Sequence, residues 1–121
     1  MGTNAISRIS EGCALLEEWI SARGISGNSV NFYDPERDSW NQVWVGGEGT
    51  ILRLEGGLSA DGAMVLTGRE ERDTRRGRVL DRITWTPMSG GRVEQRWDFS
   101  SDGGESWETV FRGIYVPRDS R

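Results

Sequence analysis

This sequence predicts an all-β fold, an antiparallel meander closed into a small barrel of about nine strands. Three observations carry that expectation. Apolar residues recur in short runs with period two, turn residues break the runs at intervals of about 8–12 positions, and no long stretch keeps the 3.6-residue period of a helix. Glycine occupies 17 of 121 positions, against three prolines, so the chain turns often. This length fits a single domain, 1–121. Parallel strands would need crossover segments for which such short intervals leave no room.

The strands are expected at 4–10, 12–22, 28–34, 40–46, 50–55, 63–69, 77–86, 92–100 and 107–116. Glu11-Gly12 closes the first. In the second, Leu15, Leu16, Trp19 and Ile20 also suit the face of a short helix, so its type stays open until Arg23 to Gly27 ends it. In 28–34, Ser29, Asn31 and Tyr33 share one face and Val30 and Phe32 the other. Asp34-Pro35-Glu36-Arg37-Asp38 then turns the chain, because proline fixes φ. In 40–46, Trp40, Gln42 and Trp44 oppose Asn41, Val43 and Val45, and with apolar groups on both sides the period leaves the inner face open.

Gly46-Gly47-Glu48-Gly49 and Gly56 to Gly62 bracket 50–55, and 63–69 leads into an arginine-rich segment. In 77–86, either Arg82 and Thr84 or Asp81, Ile83 and Trp85 face inward. After the break at Met88 to Gly91, the alternation is clearest. Arg92, Glu94, Arg96 and Asp98 are charged at every even position, so Val93, Gln95, Trp97 and Phe99 are expected inside and the charges in water. Beyond Ser101 to Ser106, the last strand puts Trp107, Thr109, Phe111, Gly113 and Tyr115 on one face, with Gly113 marking a bend or a close backbone approach.

Composition excludes much chemistry. The chain has no histidine, which removes Ser-His-Asp and Cys-His catalysis and His-ligated zinc or haem. All 15 basic residues are arginine, so no lysine can form a Schiff base. Cys13, the single cysteine, sits in the run Cys13-Ala14-Leu15-Leu16 and is expected to be a small buried hydrophobe. No cofactor or metal is expected. The net charge of −4 argues against a nucleic-acid partner, and the basic cluster Arg69 to Arg78 is interrupted by Glu70, Glu71 and Asp73 as in a solvated loop. No run approaches the ~20 apolar residues of a membrane span, and Met1 to Ser10 lacks the features of a signal peptide. A cytoplasmic protein without a membrane partner is the expectation.

Ser100-Ser101-Asp102-Gly103-Gly104-Glu105-Ser106-Trp107 matches S-x-D-x-G-x-x-W, the Asp-box hairpin that recurs in sialidase propeller blades. An aspartate can accept backbone N–H groups across such a turn, and glycine permits positive φ. One box cannot build a propeller, so it is read as a structural turn. Gln95 beside Trp97, and Gln42 between Trp40 and Trp44, are a sharper hint. An amide left unpaired inside costs roughly 1–3 kcal/mol, so glutamines flanked by tryptophans suggest a polar-aromatic cavity. An inward Arg82 would need a carboxylate partner or an anionic ligand, and Glu17, on the face of Trp19, is the candidate carboxylate. Paired carboxylates for acid–base work have no clear candidate, and no catalytic residue is assigned.

Taken together, Glu17-x-Trp19, Asn31-x-Tyr33-Asp34, Trp40-x-Gln42-x-Trp44, Gly56-Gly57, Arg82-x-Thr84-Trp85, Gln95-x-Trp97 and the Asp-box resemble a set of small bacterial lipocalin-like proteins of unknown function. The resemblance covers nearly the whole chain, from about Gly2 to Pro117. It implies a calycin-type barrel and no established reaction. Such proteins usually begin with an extra strand carrying a Gly-x-Trp element, and here Met1-Gly2-Thr3-Asn4 runs straight into what resembles the second strand.

The favoured function is a binding barrel for a small, partly apolar molecule, with Glu17, Asn31, Tyr33, Gln42, Trp44, Arg82, Gln95 and Trp97 converging on one cavity. A second reading is a cofactor-free cyclase or isomerase confining a substrate in that cavity. A third is a non-catalytic oligomeric assembly module. A missing first strand would leave open edges at Asn4 to Ser10 and Trp107 to Val116, so a homodimer is expected unless the edges close on each other or Arg118-Asp119-Ser120-Arg121 covers them.

Overall fold

The computed structural model describes residues 2–117; Met1 and the tail segment 118–121 lie outside them. The fold is all-β and antiparallel, with ten strands among the described residues: β1 Thr3–Ile9, β2 Ala14–Ile20, β3 Ser26–Asp34, β4 Ser39–Gly46, β5 Ile51–Leu58, β6 Met64–Gly68, β7 Arg72–Thr74, β8 Gly77–Pro87, β9 Val93–Ser100 and β10 Glu108–Tyr115. The pairing follows chain order, β1-β2-β3-β4-β5-β6-β8-β9-β10, with β7 attached to β8. The chain divides into two compact units between Glu55 and Gly56.

In the first unit the open question over the second segment resolves as strand. Ala14–Ile20 pairs with both β1 and β3, and those ladders bind every backbone group that a helix would have bound internally. The β1–β2 link is a single 3-10 turn at Ser10–Gly12, where Ser10, Glu11 and Gly12 all have positive φ. Cys13 follows that turn and is exposed, not buried as its apolar neighbours suggested. The turn sets it outside the β2 ladder, which begins at Ala14. The registers then fix the faces. Leu15, Glu17 and Trp19 stand beside Asn4, Ile6 and Arg8 of β1 and beside Gly27, Ser29 and Asn31 of β3. Opposite these on β4 lie Gly46, Trp44 and Gln42, with Trp40 opposite Tyr33. Buried side chains here are largely polar, with Glu17, Ser29, Ser39, Asn41 and Gln42 beside the apolar Leu52 and Leu54.

The second unit has a more conventional apolar centre of Ala63, Leu66, Val79 and Ile83. β5 runs on through Gly56 and Gly57 to Leu58, past the break the sequence suggested. A Cβ at Gly56 would lie 2.0 Å from the Val65 carbonyl oxygen, so the glycine there permits a close backbone approach and not a turn. The turn itself is Ser59 to Ala63, closed by Ser59 N donating to Ala63 O at 2.8 Å. The arginine-rich segment is not simply a loop, because Arg72–Thr74 pairs with Gly77–Val79 as a short hairpin. Its turn depends on Gly77, with φ +105°.

Two face assignments change. Asp98 is not in water but only 2% exposed. The sheet buries it because Thr109 Oγ1 donates to it at 2.8 Å, and Arg82 and Arg96 supply guanidinium donors at 3.0 and 3.3 Å. β10 does not keep one face either. The register slips between Thr109 and Phe111, so Thr109 lies opposite Asp98 while Phe111 lies opposite Trp97. This β-bulge puts Thr109 on the side of Asp98 and leaves Phe111, Gly113 and Tyr115 on the other. Neither alternative for β8 excludes the other, since neighbouring Ile83 and Thr84 are both buried.

Candidate functional site

Strand registers bring five of the eight expected site residues to one face of the first unit, namely Glu17 on β2, Asn31 and Tyr33 on β3, and Gln42 and Trp44 on β4. Period two selects each strand's members, and the pairing then sets Ser29 beside Glu17 and Asn31 beside Gln42. Four of the polar side chains form one directed chain. Gln42 Nε2 donates to Asn31 Oδ1 at 2.8 Å, Asn31 Nδ2 donates to Ser29 Oγ at 2.9 Å, and Ser29 Oγ donates to Glu17 Oε1 at 2.6 Å. From the other side Asn4 Nδ2 donates to Glu17 Oε2 at 2.7 Å. All four of these hydrogen bonds are thus donated along paths that end on the Glu17 carboxylate, which accepts one from a neutral group on each oxygen.

Two aromatic pairs border this chain. Trp19 and Trp44 meet edge to face with ring centroids 5.9 Å apart. Gly27 makes room for them, because a Cβ there would lie 2.2 Å from Trp44 Cζ2. At the other end Tyr33 and Trp40 lie 5.6 Å apart in a tilted arrangement. Tyr33 is exposed, and its hydroxyl donates to Asp38 at the β3–β4 turn and not to the polar chain. That hydrogen bond, with a little desolvation and the negative charges of Asp38 and Asp34, holds the phenol above its ordinary pKa.

Ser29 and Asn4 belong to the cluster and were not among the expected site residues. Ser29 was within reach of the sequence, since it shares the period-two face of Asn31 and Tyr33. Asn4 was not, because only the β1–β2 register brings it beside Trp19 and within reach of Glu17. Asn4 Oδ1 is buried and accepts no hydrogen bond, the single such side-chain atom among the described residues.

In the second unit Gln95 and Trp97 share the face of Asp81, Ile83 and Trp85, and Arg82 stands on the opposite face with Asp98. Glu17 is not the partner of Arg82. Its guanidinium donates to Asp98 at 3.0 Å and lies 4.1 Å over the Trp107 ring. Burial would raise the Asp98 carboxyl, but the Thr109 hydrogen bond and the guanidinium groups of Arg82 and Arg96 outweigh it and hold the pKa below the usual carboxylate value. Trp97 Nε1 donates to Asp81 at 3.0 Å, and Arg72 grips the same carboxylate with two bonds at 2.7 and 2.9 Å. These groups satisfy one another and read as parts of the fold.

The Asp-box forms the turn its residues suggest. Asp102 Oδ1 accepts from the backbone of Glu105 and Ser106 at 3.0 and 2.9 Å, and Ser100 Oγ accepts from Gly104 N at 2.8 Å. Hydroxyl bonds from Ser106 and Ser100, with that backbone, hold the Asp102 carboxyl far below its ordinary value. Among the described residues no group of three or more Cys, Asp and Glu side chains is placed to hold a metal ion, and no helix is long and apolar enough to cross a membrane. No protein-family model matches this chain, and no curated protein matches it either.

Proposed function

We propose that the chain is a small-molecule-binding domain of the lipocalin-like kind, with its site on the face of β1–β4 that carries Glu17. The observation that supports this is the directed chain Gln42–Asn31–Ser29–Glu17, with Asn31 half-buried and the other three buried, bordered by two aromatic pairs. A sheet face that needs only stability is filled with apolar side chains, because a buried polar network adds little net energy and is costly wherever it is incomplete. Here the network ends on a carboxylate, and among the described residues nothing donates to the Asn4 Oδ1 acceptor. Aromatic rings around a few convergent polar groups are the usual makeup of a small-ligand site. The ligand lays an apolar body against Trp19 and Trp44 and presents hydrogen-bond donors to the polar chain.

Native mass spectrometry of freshly purified protein, with tryptophan-fluorescence titration of small aromatic compounds, tests this reading. A retained small molecule or a saturable quench, either one lost in Trp44→Ala, is the expected result. A chain that carries nothing and shows no saturable change, or a response that Trp44→Ala leaves intact, would overturn it.

A further inference from the structure

Three carboxylates are buried among the described side chains, Glu17, Asp81 and Asp98. The fold treats them differently. Asp81 is gripped by Arg72, and Asp98 is held by Arg82 and Arg96. Glu17 is 8% exposed, yet among the described residues its oxygens accept only from an amide and a hydroxyl. No guanidinium pairs with it among the described residues, and the sequence has no lysine to supply an ammonium. A buried carboxylate normally has a cationic partner or a metal, since desolvation of the charge is otherwise uncompensated.

We infer that the missing cation arrives with the ligand, so that the site takes a protonated amine carried on an aromatic or apolar body. The inference rests on the reading of this face as a small-molecule site and names the chemistry of its ligand. Three features select an amine over other donors. The Glu17 carboxylate has two of its roughly four acceptor positions filled, both by neutral donors, and so keeps capacity for a charge-assisted N–H bond. Asn4 Oδ1, on the amide that already holds Glu17, is a second acceptor with no donor among the described residues. An ammonium brings three donors and one positive charge, which answers both shortages together. Beside these acceptors the Trp19 and Trp44 rings stand edge to face, and an open ring face there stabilises a desolvated cation. A divalent metal fits poorly, because it requires several oxygen ligands and the Ser29 hydroxyl and Asn4 amide nitrogen direct hydrogens into the site.

Orientation of the chain supports the same reading. Gln42, Asn31 and Ser29 each donate toward Glu17, and Asn4 donates from the other side. The network therefore converges on the Glu17 oxygens as its terminal acceptors in a sheet face bordered by rings.

The experiment compares 2-phenylethylamine with 2-phenylethanol at neutral pH, by calorimetry and tryptophan fluorescence, on the wild-type protein and on Glu17→Gln. These probes share an aromatic body and differ in charge, and the variant keeps a side chain of similar shape. The amine is expected to bind wild type at least about tenfold more tightly than the alcohol, a preference lost in Glu17→Gln. Equal binding of the two probes to wild type overturns the amine inference while leaving the small-molecule reading intact. A preference that survives in Glu17→Gln also overturns it, since the charge would then be read elsewhere. Absence of binding by either probe, with no co-purified molecule, sinks both readings. If Glu17→Gln fails to fold, the wild-type comparison alone still decides.

Discussion

Gln42 and Asn31 stand directly opposite each other in the β3–β4 ladder, and the Gln42 amide nitrogen lies 2.8 Å from the Asn31 amide oxygen. This pair joins the end of the polar chain farthest from Glu17 to the strand that carries Ser29. Replacing Gln42 with Leu removes the donor and leaves a half-buried acceptor on Asn31. The expected loss of stability is about 1–3 kcal/mol in urea unfolding. With Asn31→Leu added, the double variant should lose clearly less than the sum of the two singles, because both partners of the bond are then gone. Strict additivity would mean that the two amides do not interact.

Asp98 makes stability depend on acid. Its folded pKa is depressed, so the stabilisation is fully present above the ordinary carboxylate pKa and is lost as pH falls through the lower folded value. Asp98→Asn should cost about 2 kcal/mol at neutral pH, in the range of hydrogen bonds to charged groups. The gap between wild type and variant should narrow steadily as the pH is taken below 4. Urea unfolding across that range measures it, and a constant gap would contradict the assigned role of Arg82 and Arg96.

The neighbouring glycines of β5 should respond oppositely to alanine. At Gly56 the added Cβ meets the Val65 carbonyl at 2.0 Å, whereas at Gly57 nothing lies within 4 Å. Backbone cannot yield as a flexible side chain can, so Gly56→Ala should cost about 1–3 kcal/mol or more. Gly57→Ala should stay within about 0.5 kcal/mol of wild type. Thermal unfolding of the two variants separates them directly.

Loss of Asp102 should be felt locally. Asp102→Ala removes the acceptor of the Glu105 and Ser106 amides. Their hydrogen exchange should quicken by roughly tenfold, the equivalent of one ordinary hydrogen bond, while exchange in the β8–β9 ladder stays unchanged. Ligand response on the β1–β4 face should also stay unchanged. A parallel loss of binding would give the Asp-box a role beyond its turn.

By itself the sequence determined the all-β class, nearly every strand, the Asp-box turn and the grouping of Ser29 with Asn31 and Tyr33 and of Trp40 with Gln42 and Trp44. These are consequences of period two and of turn chemistry, which act between residues close in the chain. Tertiary structure alone decided which grouped faces meet. Register set Ser29 against Glu17 and Asn31 against Gln42, and brought Asn4 from the first strand to the same carboxylate. It also overruled local pattern at Asp98, whose place among charged even positions suggested water. The cations that bury it come from Arg82, 16 residues away, as well as from nearby Arg96. A bulge at the start of β10 then turned Thr109 to meet that same aspartate. The reason is common to all these cases. Alternation tells which residues share a side, but burial of a polar group is settled by the partners it finds, and those partners lie on strands that only folding places next to it.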